Sequence, residues 1–452
     1  MIHKYKLPLL FYILISYFVF DLNFWILLSI FSLLISFFYD LKRYFLAISP
    51  FFILFLKIGF FSNIIEYFKK SLNLTDETTI YFFIFITMIL FNIFAYLFST
   101  RIKKFSFTML SLLSTAFILM YNSVDIIYIK LFIYLIGFFT FKHFFNLIYN
   151  NETTQLTLYE SVQSYGNFWS ILTVLPIPLT LIKKKSVSKD NLSDVQWSAT
   201  KLLIITMLWA SFFNLLIFKL NFKEMSVQEM FNFRIGSAYD GFYILEKKNT
   251  ILTKFGAILI IGLGVFTKIF TTSNYAISLL RLFGYNLPST VNSNIYKFNS
   301  LRGFLGGAYY YYNYLLINII LPRVKIITKF LNFNKFLTQN LTIVLLFTFG
   351  GISYSVFNAQ FYNDFLKAQA HMSTYLLYLG VYFIPLSALI LISRHFGLLK
   401  IDSHENFHWR LFKKLIIVFI FFCLLLIKTS IKYQNWNIDN LINFFSLMIG
   451  SG

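Results

Sequence analysis

The chain has one cysteine in 452 residues, seven prolines, six histidines and only 18 acidic side chains. The lone Cys423 lies in an apolar run, so neither an internal disulfide nor a cysteine-ligated zinc is available. No stretch rich in Pro, Gly or Ser divides the sequence and no internal repeat is visible, which argues against a string of independent domains. Charged residues reach 13%, against roughly 25% in soluble domains. That shortage excludes a disordered chain and a soluble globular enzyme. The scarcity of acid leaves 39 Lys and Arg unbalanced, and 39 − 18 gives a formal charge of +21. In a soluble protein such a surplus points to nucleic acid. Beside 58% hydrophobic residues, 60 Phe and 30 Tyr, it points instead to cations held on the cytoplasmic side of a membrane. Nucleic acid is therefore not an expected partner, and membrane lipids are.

A bilayer span needs about 20 mostly apolar residues, because every backbone N–H and C=O must be paired within the helix. The clearest case is Ile80–Thr100, free of charge and ending at Arg101, Lys103 and Lys104. The other expected spans are Leu7–Phe20, Phe24–Phe38, Tyr44–Phe61, Phe105–Tyr121, Ile126–Phe141, Leu202–Phe218, Ile251–Phe270, Phe304–Leu321, Leu341–Phe357, Tyr375–Ser393 and Leu415–Ile427. The total is about 11–12. Alternation of Lys4, Lys6, Lys42, Arg43 and Arg101–Lys104 against Asp21, Asp76 and Glu77 puts the N-terminus in the cytoplasm. Lys183–Lys185 break this parity unless Tyr165–Ile182, which contains Pro176 and Pro178, is re-entrant. The first apolar run lacks a small-residue cleavage site and reads as a retained span.

One region departs from plain membrane helix. Leu279–Pro288 reads LLRLFGYNLP, and an Asn- and Tyr-rich segment follows to Arg323. Phe283, Gly284, Tyr285, Leu287 and Pro288, then Tyr296, Ser300 and Phe304, then Tyr311, Tyr312 and Pro322 resemble the central region of the membrane-bound O-acyltransferase (MBOAT) superfamily. The run FWSILTVLPIPLTLIKKK is similar to that family's proline-containing re-entrant segment, and the resemblance covers roughly Tyr165–Gly380. It implies a polytopic α-helical membrane fold and acyl transfer from acyl-CoA or another thioester donor, used as substrate with no bound cofactor. The implied acceptor is a hydroxyl of an exported or envelope polysaccharide or glycolipid, with envelope-export proteins as partners.

The chain departs from the family at two places. After Phe304 come Leu305, Gly306, Gly307 and Ala308 where the family carries Trp-Arg-Arg-Trp. The family's catalytic His, a general base for the acceptor hydroxyl, aligns with Ser355 in FTFGGISYSVFN, and Ser is not basic near neutrality. A second alignment, with a one-residue gap, offers His371. On a helix Asp364 would share its face at i, i+7 and orient the imidazole; the plainer reading is an interfacial side chain beside Lys367. Arg302 and Arg323 flank the 304–321 run and suit an anionic donor. Tyr311, Tyr312 and Asn313 offer polar groups to donor or acceptor, although interfacial anchoring is the commoner role for tyrosine. Two outcomes stay open: an active O-acyltransferase, or a catalytically silent relative serving an export complex.

Readings from other classes compete. A polysaccharide polymerase should have a sizeable outer loop with paired arginines, and no polar stretch here obviously provides one. A lipid-linked glycan transporter coupled to ions should carry charge within its spans, whose interiors are nearly free of acids. His404, Glu405 and His408 fit H-E-x-x-H, the zinc-peptidase pattern in which a helix places both imidazoles on one face. No later Glu supplies a third ligand, and the stretch lies among charges between Arg394 and Lys414, so a polar cytoplasmic loop is the plainer reading. The expectation is thus an all-α polytopic membrane protein forming one integral domain over 1–452, in a bacterial inner membrane. It has N-terminal helices over 1–148, an MBOAT-like core over 149–395 and C-terminal helices over 396–452.

Overall fold

The computed structural model describes residues 2–20, 22–42, 185–221, 250–291, 297–331, 333–357, 372–397, 400–402 and 404–433, with isolated positions elsewhere. Apart from such positions, four expected spans (Tyr44–Phe61, Ile80–Thr100, Phe105–Tyr121 and Ile126–Phe141), the re-entrant Tyr165–Ile182 and His371 lie outside the described residues. Among the described residues all regular structure is helical, and the only pairing of extended chain is an isolated antiparallel bridge between Ser186 and Tyr285.

The helices are α1 (Ile2–Ser16), α2 (Leu22–Phe37), α3 (Leu192–Asn221), α4 (Ile251–Leu282), α5 (Leu301–Ala308), α6 (Tyr310–Leu315), α7 (Leu321–Phe330), α8 (Lys335–Phe357), α9 (Met372–Phe396) and α10 (Phe407–Tyr433). Two stretches, Lys189–Leu216 and Thr253–Leu282, are long and apolar enough to cross a bilayer. The expected span Phe304–Leu321 is not one continuous helix: α5 ends at Ala308, Tyr309 interrupts it, and the helical path resumes as α6 and passes through a π-helical turn at Leu316–Ile320 into α7. Tyr309 leaves helical geometry at φ −136, ψ 75, between the Gly-rich α5 and α6. Pro322 then has no N–H to give and crowds the carbonyl four residues back, and the ladder widens into the π turn ahead of it. Asn318 donates its side-chain amide to Tyr314 O at 3.1 Å within that turn.

Apolar side chains cover the outer faces of the described helices as well as their buried faces, and several buried positions are polar. The outward stripe of α3 is Ile205, Leu208 and Phe212, the last two 64% and 61% exposed, while Thr206, Ser211 and Asn214 are buried. In α2 the exposed positions are Leu22, Ile26, Ile30, Leu33 and Phe37, and the buried ones include Ser32. Hydroxyls inside the helices mostly bond to a carbonyl three or four residues back, as Ser16 does to Ile13, Thr200 to Gln196, Ser211 to Met207, Thr271 to Thr267 and Thr328 to Val324. That habit satisfies a polar group with no help from water.

The chain forms two compact units interleaved in sequence. The first comprises Met1–Leu203, Ala276–Leu287 and Val356–Tyr362. In it α1 and α2 form an antiparallel hairpin, closed by Val19 and Phe20 N–H on Ser16 O and by the Trp25 indole donating to Ile13 O at 2.7 Å. Tyr12, fully buried, shares a 2.7 Å hydroxyl–hydroxyl bond with Ser278 of α4, and Phe11 packs on Trp197 of α3. The second unit comprises Ile204–Tyr275, Pro288–Ser355 and Asn363–Gly452. Its core is aromatic: Phe421 of α10 meets Phe304 and Tyr309, and Trp209 meets Phe266 and Phe270 while donating to Thr267 Oγ1 at 3.0 Å. Gly262 lets α10 come close, since a Cβ there would lie 2.5 Å from the Phe422 ring.

Candidate functional site

The Phe283–Pro288 turn is the best-defined non-helical structure among the described residues. Helix α4 ends in a Schellman motif: Tyr285 N–H donates to Leu280 O at 3.0 Å and Gly284 N–H to Arg281 O at 2.9 Å. Gly284 takes the left-handed conformation at φ +84, which glycine adopts without steric cost. A Cβ at this position would also fall 2.5 Å from the Tyr39 hydroxyl, so the residue is required twice over.

The turn is then held on three sides within the first unit. Val187 N–H donates to Gly284 O at 3.0 Å and Asn286 N–H to Lys185 O at 2.8 Å, which pairs the turn with the strand-like segment ahead of α3. Arg281 folds over the turn, its Nε donating to Leu287 O at 2.7 Å and a terminal nitrogen to Ser198 Oγ at 2.9 Å. Gln196 Nε2 reaches Leu282 O at 3.3 Å. Beyond the end of α2, Tyr39 donates its hydroxyl to Val187 O at 2.6 Å and accepts a 2.6 Å bond from Lys42 Nζ. Lys42 is 8% exposed. Its ammonium sits 4.1 Å from the centre of the Tyr39 ring and 4.9 Å from that of Tyr285, so two aromatic faces replace part of its lost hydration. Burial lowers the Lys42 pKa to about 8, against the opposing pull of Asp40, and burial with Asp40 raises Tyr39 to about 12.

The continuation of the turn belongs to the second unit. Tyr311 is 1% exposed and donates its hydroxyl to Pro288 O at 2.7 Å. Thr290 N–H donates to Asn274 Oδ1 at 3.0 Å, and Tyr310 N–H to Thr290 O at 2.9 Å. Around these bonds three buried polar atoms have no hydrogen-bond partner: Ser273 Oγ, Asn274 Nδ2 and Thr290 Oγ1. No family model and no curated protein matches this sequence.

The other residues singled out from the sequence fall in varied settings. Ser300 caps α5, its hydroxyl accepting from Gly303 N–H at 3.1 Å, and Arg302 is exposed in the first turn of that helix. Tyr312 and Asn313 are half-buried in α6, with the Asn313 amide against Gly306. Arg323 lies in α7 and Ser355 in α8, with their side chains outside the described residues, as is His371 altogether. His404 and Glu405 precede the start of α10 at Phe407, so His404 and His408 do not share a helix face. Both imidazoles are exposed, and the Glu405 carboxylate is paired with Lys413. Among the described residues no group of three His, Cys, Asp or Glu is placed to hold a metal ion. Sequence reasoning missed the clamp of Tyr39, Lys42, Gln196 and Arg281. Arg281 carried a visible signal, a lone cation in an apolar helix end that must find acceptors; Tyr39 and Lys42 carried none, lying more than 140 residues from Val187.

Proposed function

We propose that the protein is a polytopic integral membrane protein of the bacterial inner membrane, with a cytoplasmic N-terminus, that transfers acyl groups from a thioester donor to a hydroxyl of an exported or envelope glycan. The observation that supports the membrane part is that α1–α3 are apolar on their outward faces as well as their buried ones, with hydroxyls such as those of Ser16, Thr206 and Ser211 among the buried groups. In lipid there is no hydrophobic drive between helices, and close packing and internal hydrogen bonds must hold them. The Gly262–Phe422 contact and the buried Tyr12–Ser278 bond are of that kind. The acyl-transfer part rests on the resemblance of Leu279–Arg323 to the MBOAT central region, together with the clamped turn that this stretch forms.

In this reading the acceptor hydroxyl gives its proton to the His371 imidazole as its oxygen attacks the thioester carbonyl. The C–S bond then breaks and the imidazolium returns the proton to the departing thiolate, leaving an ester and a free thiol. The experiment is glycan acylation measured in a host lacking the gene and complemented with wild type or His371→Ala. Complementation by the wild type and at least about a hundredfold loss in the variant is expected of a general base. Acylation that depends on the gene but survives both His371→Ala and Ser355→Ala would mark a silent relative acting through partner proteins. Acylation independent of the gene would end the acyl-transfer reading.

A further inference from the structure

At one end of the second unit an aromatic and basic tip stands clear of the core. It is made by the end of α7, the start of α8 and the end of α9. The hydroxyls of Thr342 and Thr328 tie α8 to α7 at 3.1 Å. Arg394 donates to Gln339 Oε1 at 2.7 Å, His395 bonds Asn340 Oδ1 at 2.9 Å, and the Phe336 and His395 rings lie 5.1 Å apart. Phe330 is 88% exposed, Phe396 74% and Phe336 60%. Lys325, Lys329, Lys335 and Arg394 are exposed among them. No Asp or Glu stands between Glu246 and Asp364, and the next after Asp364 is Asp402. The tip's cations therefore have no carboxylate on their own segments to neutralise them.

We propose that this tip docks on anionic phospholipid headgroups, with Phe330, Phe336 and Phe396 entering the interface and the four cations pairing with phosphates. Charge complementarity selects this occupant. A second copy of the same tip would set cation against cation, and a duplex polynucleotide would offer phosphates but no apolar boundary for the three rings. An anionic bilayer surface offers both an apolar boundary for the rings and negative charge at the depth of the lysine and arginine heads. The proposal rests on the membrane reading above, and its test separates the two.

The full chain, with Cys423→Ser to remove the native thiol, carries a single label at Leu331→Cys in the tip or at Leu208→Cys on the outer stripe of α3. Each sample is reconstituted in nanodiscs of brominated phosphatidylcholine, alone or with a quarter phosphatidylglycerol. The Leu208 label should be quenched in both. The Leu331 label should be quenched at least about twofold more strongly when the anionic lipid is present. High salt, and the combined change Lys329→Glu, Lys335→Glu and Arg394→Glu, should each erase that difference. A quenched Leu208 label with equal quenching at Leu331 in both discs overturns the docking proposal alone, as does a difference that survives salt and charge reversal. An unquenched Leu208 label overturns the membrane reading and the docking with it.

Discussion

The turn at 283–287 and the polar cluster at Ser273, Asn274 and Thr290 are both buried, yet they treat their polar groups in opposite ways. In the turn the carbonyls of Leu280, Arg281, Leu282, Gly284 and Leu287 all have donors, drawn from backbone, an amide side chain and a guanidinium. In the cluster one side-chain carbonyl is used and three other polar atoms are left over. Leaving a buried polar atom unpaired costs about 1–3 kcal/mol, whereas a hydrogen bond that is made contributes a net of about 0.5–1.5 kcal/mol. The turn is thus a lock that tolerates little change. The cluster holds polar atoms that no protein group pairs, and substitution there should disturb the fold least.

That contrast predicts a ranked series of stability effects, each readable as a thermal shift of purified protein in detergent. Gly284→Val is the largest: the left-handed backbone costs about 1–2 kcal/mol and the overlap with the Tyr39 hydroxyl about 1–3 more. Loss of foldable protein is the expected result, and a variant of wild-type stability would remove the lock. Arg281→Met should come next, at about 2–3 kcal/mol, because the Leu287 carbonyl loses a charged donor in a part-buried site. Tyr39→Phe takes the donor from Val187 O and the acceptor from Lys42, for about 1–2 kcal/mol.

Lys42→Met is read through pH. With a folded pKa near 8, well under its ordinary 10.5, the folded state binds fewer protons than the unfolded chain between those values. Wild-type stability should therefore gain from this group as pH rises from 8 to 10, with the full penalty present below 8. Tyr39, raised to about 12, works the other way only above pH 10. Methionine should flatten the rise between 8 and 10; an unchanged slope would assign it to other groups. Thr290→Val is the smallest, within about 0.5 kcal/mol of wild type or slightly stabilising, since its hydroxyl has no partner to lose. A loss as large as that of Tyr39→Phe would erase the difference between the two regions.

Among the described residues helix positions were largely legible, because long apolar runs announce themselves: the expected Leu202–Phe218 and Ile251–Phe270 lie inside α3 and α4. Their true lengths were not, since α3 begins at the polar Leu192–Gln196 stretch and α4 runs through Thr271–Asn274, where hydropathy falls but backbone and tertiary bonding persist. The break at Tyr309 was hidden for the opposite reason. Apolarity continues across it, and only geometry distinguishes one long helix from two helical stretches separated at Tyr309. Of the site, the LLRLFGYNLP string stood out only through its resemblance to a known family's central region. Its clamp did not, because contacts such as Tyr39 with Val187 depend on how distant segments meet.

The π turn at Leu316–Ile320 has a bearing on the basic tip. One extra residue per turn advances the helical phase by about 100° relative to a continuous α-helix. The stripe on which Lys325, Ile326 and Lys329 project is therefore displaced around the axis from the direction in which α6 presents its tyrosines. Deleting a single residue from Leu316–Ile320 alters no charge or ring, yet it would swing those lysines to a different side of the helix. In this chain the compass bearing of a cationic face is set by the insertion of one backbone unit, upstream of the cations themselves.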